Sequence, residues 1–343
     1  MTVLLTLLVI AVLILVHEWG HFRVARRIGI PVYEFSLGFG YKLYSTKYNG
    51  VEYSLRLIPL GGYVRMAGEE PGDMEDPNGF SARTPLEKIR VAFAGPFMNF
   101  VAAIFIFIYS FAVIGVAQPI DEAVIGEVLP GKPAELAGLQ SGDRIMAVDS
   151  TNVGTWEEFV TMIRQQTSGE EITITINRDG IEKDLALKPI VNETSGIPMI
   201  GVYSKVEFEK QNILNSIKYG FIQTYQMTML LLSGLGMMFS GAVSSSDLAG
   251  PVGIASMVGE AARGGLVYLL NFTAFLSINL GILNLLPIPA LDGSRIVFAI
   301  VELVRRRPLN PEKEGMIHWF GFLFLMALIV FATYNDILRL IRG

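Results

Sequence analysis

Residues 3–16 are apolar without a break except for Thr6, and His17 follows directly. A run with no polar face reads as a membrane span rather than as one side of an amphipathic helix. Three further runs share this character, at 91–116, 266–286 and 318–333, and the first continues to residue 22. Each is close to the ~20 residues that a helical crossing needs. The stretch 219–246 is also uncharged, but Gly234, Gly236 and Gly241 interrupt it, and Gln223, Thr224, Gln226 and Thr228 add polarity. It is expected as helices lying in the membrane interface. A fifth crossing there would set Arg305, Arg306 and Arg307 on the opposite side from Arg23, Arg26 and Arg27. Lys/Arg residues collect on the inner side of membrane proteins. The segments holding these arginines, together with Arg83, Lys88, Arg90, Arg295 and Lys313, are therefore expected inside. The N-terminus, 117–265 and the C-terminus then fall outside.

Between the first two spans the pattern changes to alternation. Tyr33-Glu34-Phe35-Ser36-Leu37 and Tyr53-Ser54-Leu55-Arg56-Leu57 read as strands, with turns at Gly38, Gly40, Asn49-Gly50 and Gly61-Gly62. A small inner sheet that dips toward the membrane is expected, and the acidic, Pro/Gly-punctuated stretch 69–78 reads as a loop. Residues 120–205 alternate short strands with two short helices. The run Ala134-x-x-Ala137-Gly138-Leu139-x-x-Gly142-Asp143-x-Ile145 resembles a PDZ domain, a module that takes extended peptide along a sheet edge. By the same resemblance Ile200-Gly201-Val202 is a peptide-terminus loop. The expected fold is a polytopic α-helical membrane protein. It has four transmembrane helices, a membrane-associated β-hairpin region and one inserted extracytoplasmic PDZ-like α+β domain. The expected divisions are a first membrane core part at 1–117, with the β region at 32–66, and the PDZ-like domain at 118–205. Interfacial amphipathic helices at 206–265 and a second core part at 266–343 follow.

Composition agrees with this plan and narrows the chemistry. The chain has 343 residues, 51% of them hydrophobic, and 17% charged, against ~25% in soluble domains. Mean hydropathy is +0.46. A net charge of −5 leaves no footprint for nucleic acid. With no cysteine, disulfides and thiolate metal ligands are excluded, so a zinc ion would have to be held by His and carboxylate groups.

His17-Glu18-Trp19-Gly20-His21 closes the first apolar run, and it uses two of the three histidines in the chain. Imidazoles at i and i+4 share a helix face and can grip one zinc, with Glu18 beside the open coordination position. Surface helices carry this short pattern without metal, but they are polar, and this one is not. Ionisable groups at membrane depth are costly and point to function. A hydrolytic metal site there implies cleavage within membranes. A catalytic zinc needs a third protein ligand: His318, an Asp or a Glu. The third span ends in Asn284-x-x-Pro287-x-Pro289-x-Leu291-Asp292-Gly293. Its prolines cannot continue a helix, and Asp292 arrives on the same side as the HExxH. His318 has no motif around it and reads as a structural histidine.

Together the HExxH, this Pro-rich run, the PDZ-like insert and the four-span plan resemble the bacterial site-2 protease family, in its form with one PDZ domain. Gly95-Pro96-Phe97-Met98-Asn99, Gly38-Phe39-Gly40 and Gly61-Gly62-Tyr63 are similar to that family too. The resemblance covers essentially the whole chain. It implies that His17, His21 and Asp292 hold Zn²⁺ and that Glu18 is the general base. It also implies a substrate contact at Asn284, whose bland alternative is a cap on the third span. Substrates would be single-span membrane proteins with the N-terminus inside, such as anti-sigma factors or remnant signal peptides. A strand edge at Ser54, Leu55, Arg56 and Leu57 is expected to pair with the unwound substrate. The PDZ-like domain would bind peptide termini or exclude bulky substrates. Two rival readings stand beside this one. A catalytically silent PDZ-bearing scaffold would lack zinc, and a zinc-dependent transporter would line a path across the membrane with polar side chains.

Overall fold

The computed structural model describes residues 2–69, 76–166, 170–191, 197–240 and 250–342. The chain divides into two compact units, 1–112 with 212–343, and 113–211. Positions 70–75 of the acidic loop and 241–246 of the uncharged stretch lie outside the described residues.

In the first unit four helices are long and apolar enough to cross a membrane, at Thr2–Ile28, Pro85–Ile114, Leu266–Leu285 and Glu312–Arg339. The protein is a multi-pass membrane protein. Helix α1 (Thr2–Ile28) ends at Gly29, whose φ of 88° stops the helix. Helix α2 (Pro85–Tyr109) continues into a π-helical turn, Ser110–Ile114. It starts before the apolar run does. A capping box between Thr84 and Glu87, with Pro85 behind the cap, nucleates turns that hydropathy alone hides. The charge of Lys88 in those turns is absorbed by Glu302, 2.8 Å away. α1 and α2 touch backbone to backbone: a Cβ on Gly20 would sit 2.3 Å from the Ala94 carbonyl oxygen. Small residues permit such approach where lipid gives helices no hydrophobic reason to associate.

Strands β1 (Val32–Tyr48) and β2 (Val51–Met66) form a long hairpin that folds back upon itself. Residues 42–48 pair with 51–56 near the tip. Residues 32–37 pair with 62–66, and 34–37 pair also, in ascending register, with 52–55. Ser54 therefore faces Ser36 on one side and Ser45 on the other, and Leu55 faces Leu37 and Tyr44. This corrects the expectation of a strand edge at Ser54, Leu55, Arg56 and Leu57 for its first two residues: Ser54 and Leu55 run through the interior of the sheet, while Arg56 pairs only with Lys42. Two side chains of the stretch are also engaged, since Ser54 Oγ and Arg56 Nη2 donate to Glu34 Oε1 at 2.5 and 2.7 Å. Burial would raise the Glu34 carboxyl, but these donors outweigh it and hold the pKa below the ordinary value. Among the described residues two segments of the hairpin pair on one side only, 42–48 and 62–66. Alternation alone locates strands but does not show that a 17-residue strand doubles its pairing across bulges.

Helix α5 (Ile213–Phe239) also departs from expectation. It is one 27-residue helix rather than short interfacial pieces. Tyr219 meets Phe111 edge-on, Gly220 lies against Ile104 and Ile108, and Met227, Leu231 and Leu235 join the core of Phe107, Ile278 and Ile282. The helix thus runs antiparallel along α2 into the bundle. Its threonines are neutralised internally, Thr224 and Thr228 Oγ1 donating to carbonyls four residues back. Helix α6 (Pro251–Gly264) begins against Asp336, whose carboxylate accepts from the N–H groups of Gly250 and Gly253 at 3.1 and 2.8 Å. Helices α7 (Leu266–Leu285), α8 (Asp292–Arg305) and α9 (Pro311–Arg342) complete the unit.

The second unit has a sheet of order β6-β5-β7-β8, from β5 (Arg144–Val148), β6 (Thr151–Asn152), β7 (Ile172–Arg178) and β8 (Ile181–Leu187). Short pairs flank it: β3 (Val116–Pro119) with β12 (Val206–Glu209), β4 (Ile125–Val128) with β11 (Val202–Ser204), and β9 (Ile190–Val191) with β10 (Pro198–Met199). Helices α3 (Pro133–Leu136) and α4 (Trp156–Gln165) pack over a core of Ile125, Ile145, Phe159, Ile172, Ile174 and Ile176. This is the PDZ-like α+β module. Arg178 Nε donates to the buried Asp143 at 2.6 Å, tying β7 to the Gly142-Asp143 turn.

Candidate active site

The site is assembled from both ends of the chain in the first unit. On α1, His17 and His21 sit one turn apart with their Nε2 atoms separated by 3.2 Å. Asp292 reaches them from the first turn of α8, its Oδ2 3.1 Å from His17 Nε2 and 3.3 Å from His21 Nε2. The turn that delivers Asp292 is tightly specified. Pro287 and Pro289 end α7, and Ala290 takes a left-handed φ of 76°. Ile288 N–H donates to the Leu286 carbonyl at 2.7 Å. Gly293 has room for no side chain, since a Cβ there would lie 2.2 Å from the Leu286 carbonyl oxygen. His318 secures the same turn by accepting the Ala290 N–H at Nδ1, 3.1 Å away, with its ring edge-on to Phe298. It is a structural histidine, outside the three-ligand cluster.

The three donor atoms fit a zinc ion. A tetrahedral zinc with bonds of about 2.0–2.1 Å holds its ligand atoms about 3.3 Å apart, and the separations here are 3.1, 3.2 and 3.3 Å. Asp292 Oδ2 is buried with no hydrogen-bond partner, as a metal-facing oxygen would be. His21 Nδ1 donates to the Val91 carbonyl at 2.8 Å, which leaves the Nε2 lone pair aimed at the cluster. Space for the imidazoles comes from Gly95 on α2, where a Cβ would lie 2.3 Å from His21 Nε2 and 2.8 Å from His17 Cε1.

A cavity of about 250 Å³ opens beside the cluster. Glu18, Asn284 and Arg295 line it with the two histidines and Asp292, and Tyr63, Val64 and Met66 of β2 close one wall. Gly62 packs against the Glu18 side chain and Ile14. The edge segment 62–66 is therefore the strand next to the site. Of the residues expected at the site, His17, Glu18, His21, Asp292 and Asn284 come together, whereas Ser54, Leu55, Arg56 and Leu57 do not line this cavity. Arg295 bonds Glu69 and stacks on Phe80 at 5.6 Å, while Glu69 Oε2 accepts the Met66 N–H at 3.2 Å. This chain of contacts ties the end of β2 to the helix that carries Asp292. Sequence reasoning did not single out Gly95, Arg295 or Tyr63 for the site. Gly95 was legible in principle, as a small residue within an apolar span and four positions from the polar Asn99.

The peptidase family M50 model matches residues 5–328. The zinc metalloprotease RasP of Geobacillus kaustophilus is 35% identical, with 96% of each chain covered. The RasP of Oceanobacillus iheyensis is 35% identical over 99% of each. The regulator of sigma-W protease RasP of Bacillus subtilis is 30% identical, again over 99% of each. The metal of these proteins is zinc, which agrees with a donor set of two imidazoles and a carboxylate. The chain belongs to peptidase family M50, the site-2 proteases, and is a membrane-embedded zinc metalloprotease.

Proposed function

We propose that this chain hydrolyses peptide bonds within or near the transmembrane segments of single-span membrane proteins, with His17, His21 and Asp292 as the zinc ligands and Glu18 as the general base. The observation that carries the reading is the placement of the three converging donors. Two of them lie in a helix long enough to cross a membrane and the third in the first turn of α8, and all three line a cavity walled by a strand edge. Bound zinc would supply a water acidified toward neutral pH and an electrophile for the scissile carbonyl. Glu18 takes the proton of the attacking water and passes it to the leaving amine. The Asp292 end of the bundle faces the cytoplasm, because Arg23, Arg26, Arg27, Arg305, Arg306 and Arg307 flank it. Water then reaches the cavity from that face, and the PDZ-like domain lies outside the cell membrane.

A substrate helix keeps its peptide bonds shielded by their own hydrogen bonds. It must unwind to be cut, and lipid offers no replacement partners. Segment 62–65 pairs only with β1, lies at the cavity wall and can take the unwound strand by β-addition. Asn284 lines the same cavity, and its amide would hold a substrate backbone group. The relative from Bacillus subtilis is named as a regulator of sigma-W. Anti-sigma factors are therefore the first substrate class to test, with remnant signal peptides second. The PDZ-like insert acts by excluding uncut, bulky substrates, and deletion of 120–205 should release an uncut full-length substrate for cleavage. The chain has no cysteine, so single cysteines can map the substrate path directly. Cysteines at 63 or 65 should cross-link to a cysteine near the substrate cut position, and one at 55 should not. Cross-linking at 55 alone would move the docking strand.

A further inference from the structure

His17 has a second partner that the zinc-ligand assignment leaves unused. Its Nδ1 lies 3.1 Å from the side-chain amide of Asn99 on α2. Asn99 is wholly buried, in a helix otherwise apolar at that depth. Its Oδ1 is buried without any hydrogen-bond partner. Ser277 Oγ bonds the Asn99 backbone carbonyl at 2.8 Å, which fixes the backbone here and leaves the amide free to turn. An imidazole that gives its Nε2 lone pair to a metal carries its proton on Nδ1, and that proton needs an acceptor. His21 meets the requirement with the Val91 carbonyl. For His17 the group within reach is the Asn99 amide, and one of its two heavy atoms is an orphaned acceptor. A half-turn of the amide brings that oxygen to His17, and the oxygen and nitrogen of an amide occupy nearly the same space.

We propose that Asn99 is a positioning residue for the metal centre: its Oδ1 accepts the His17 Nδ1 proton and so fixes the tautomer that presents Nε2 to zinc. The inference rests on the zinc site described above. It explains why a fully buried amide stands in a membrane helix, where an unpaired polar group is costly. It also gives the Asn99 position a physical role. Asn99 lies four residues after Gly95, so the same helix face that makes room for the rings also orients one of them.

The test is zinc affinity of the purified full-length protein, measured by competition with a chelator, for wild type, Asn99→Leu and Asn99→Asp. Leucine keeps the size and removes the acceptor, so its affinity should fall about 10–100-fold. Aspartate keeps the acceptor, and its charge is balanced by zinc, so its affinity should stay within a few-fold of wild type or rise. Unchanged affinity in Asn99→Leu, or an equal loss in both variants, overturns the proposal. A wild type that binds no zinc would instead overturn the site itself. Nitrogen NMR of histidine-labelled, zinc-loaded wild type tests the tautomer without relying on a variant's folding. Only three histidines are present, and His318→Gln removes one signal. Protonated Nδ1 with metal-bound Nε2 is expected for His17, and protonated Nε2 there would contradict the role given to Asn99.

Discussion

The two units share apolar cores but differ in how many polar residues they bury and how much apolar surface they show. In the PDZ-like unit the large enclosed side chains are Ile125, Ile145, Ile172, Ile174, Ile176 and Phe159, with Asp143 the buried charged one, the pattern of a domain that folds by leaving water. In the membrane unit Phe105, Trp319 and Phe324 stay exposed, while His17, His21, Lys88, Asn99, Ser277 and Glu302 are buried. Lipid removes the reason to hide apolar groups and raises the cost of showing polar ones. A buried polar residue in the membrane unit therefore marks either chemistry or a bond that holds the helices in place. In the other unit it marks a local clamp, as with Asp143 and Arg178.

This contrast can be broken in order of effect. Glu18→Gln should keep zinc and fold but lose about 10³-fold in cleavage of a model membrane substrate; retained activity would remove Glu18 from the chemistry. Gly95→Ala should weaken zinc binding measurably, because its Cβ would fall 2.3 Å from His21 Nε2. Crowding of this kind costs about 1–3 kcal/mol. The matching change in the other unit, Gly131→Ala, meets nothing within 4 Å. It should cost only the strain of a φ of 70°, about 1–2 kcal/mol, with zinc affinity unchanged. Equal effects on zinc from the two alanines would defeat the comparison.

Asp143→Asn should lower the thermal stability of the PDZ-like unit by about 2 kcal/mol and leave metal content alone, as calorimetry and metal analysis would show. Burial would raise the Asp143 carboxyl, but bonds from Arg178 and the Gln140 N–H hold it below its ordinary value. Its folded pKa is the lower one, so its contribution is complete above the unfolded value of ~3.9 and is lost as pH falls through the folded value. Wild type should therefore lose this increment as pH falls below the unfolded value, and Asp143→Asn should show no such loss.

Local patterns revealed much of this. Apolar runs located the four spans, and the i, i+4 spacing of His17 and His21 implied shared ligation. The Pro-punctuated end of α7 pointed to Asp292. What escaped depends on partners distant in sequence. Strand alternation at 53–57 is the same for an edge and an interior strand, and only the doubled pairing of 34–37 puts 53–55 in the interior. The polar residues of α5 suggested an interface, but Thr224 and Thr228 satisfy themselves within the helix. Asn99 was visible as a letter in a motif, yet its bond to His17 spans 82 positions.

The central claim is a single zinc held jointly by α1 and α8, and X-ray absorption on zinc-loaded full-length protein tests it most directly. One zinc per chain is predicted, with two imidazole nitrogens and a carboxylate oxygen at bond lengths of about 2.0–2.2 Å. Asp292→Ala should lose the carboxylate and much of the affinity. A wild type without bound zinc, or an Asp292→Ala spectrum identical to wild type, would contradict the account.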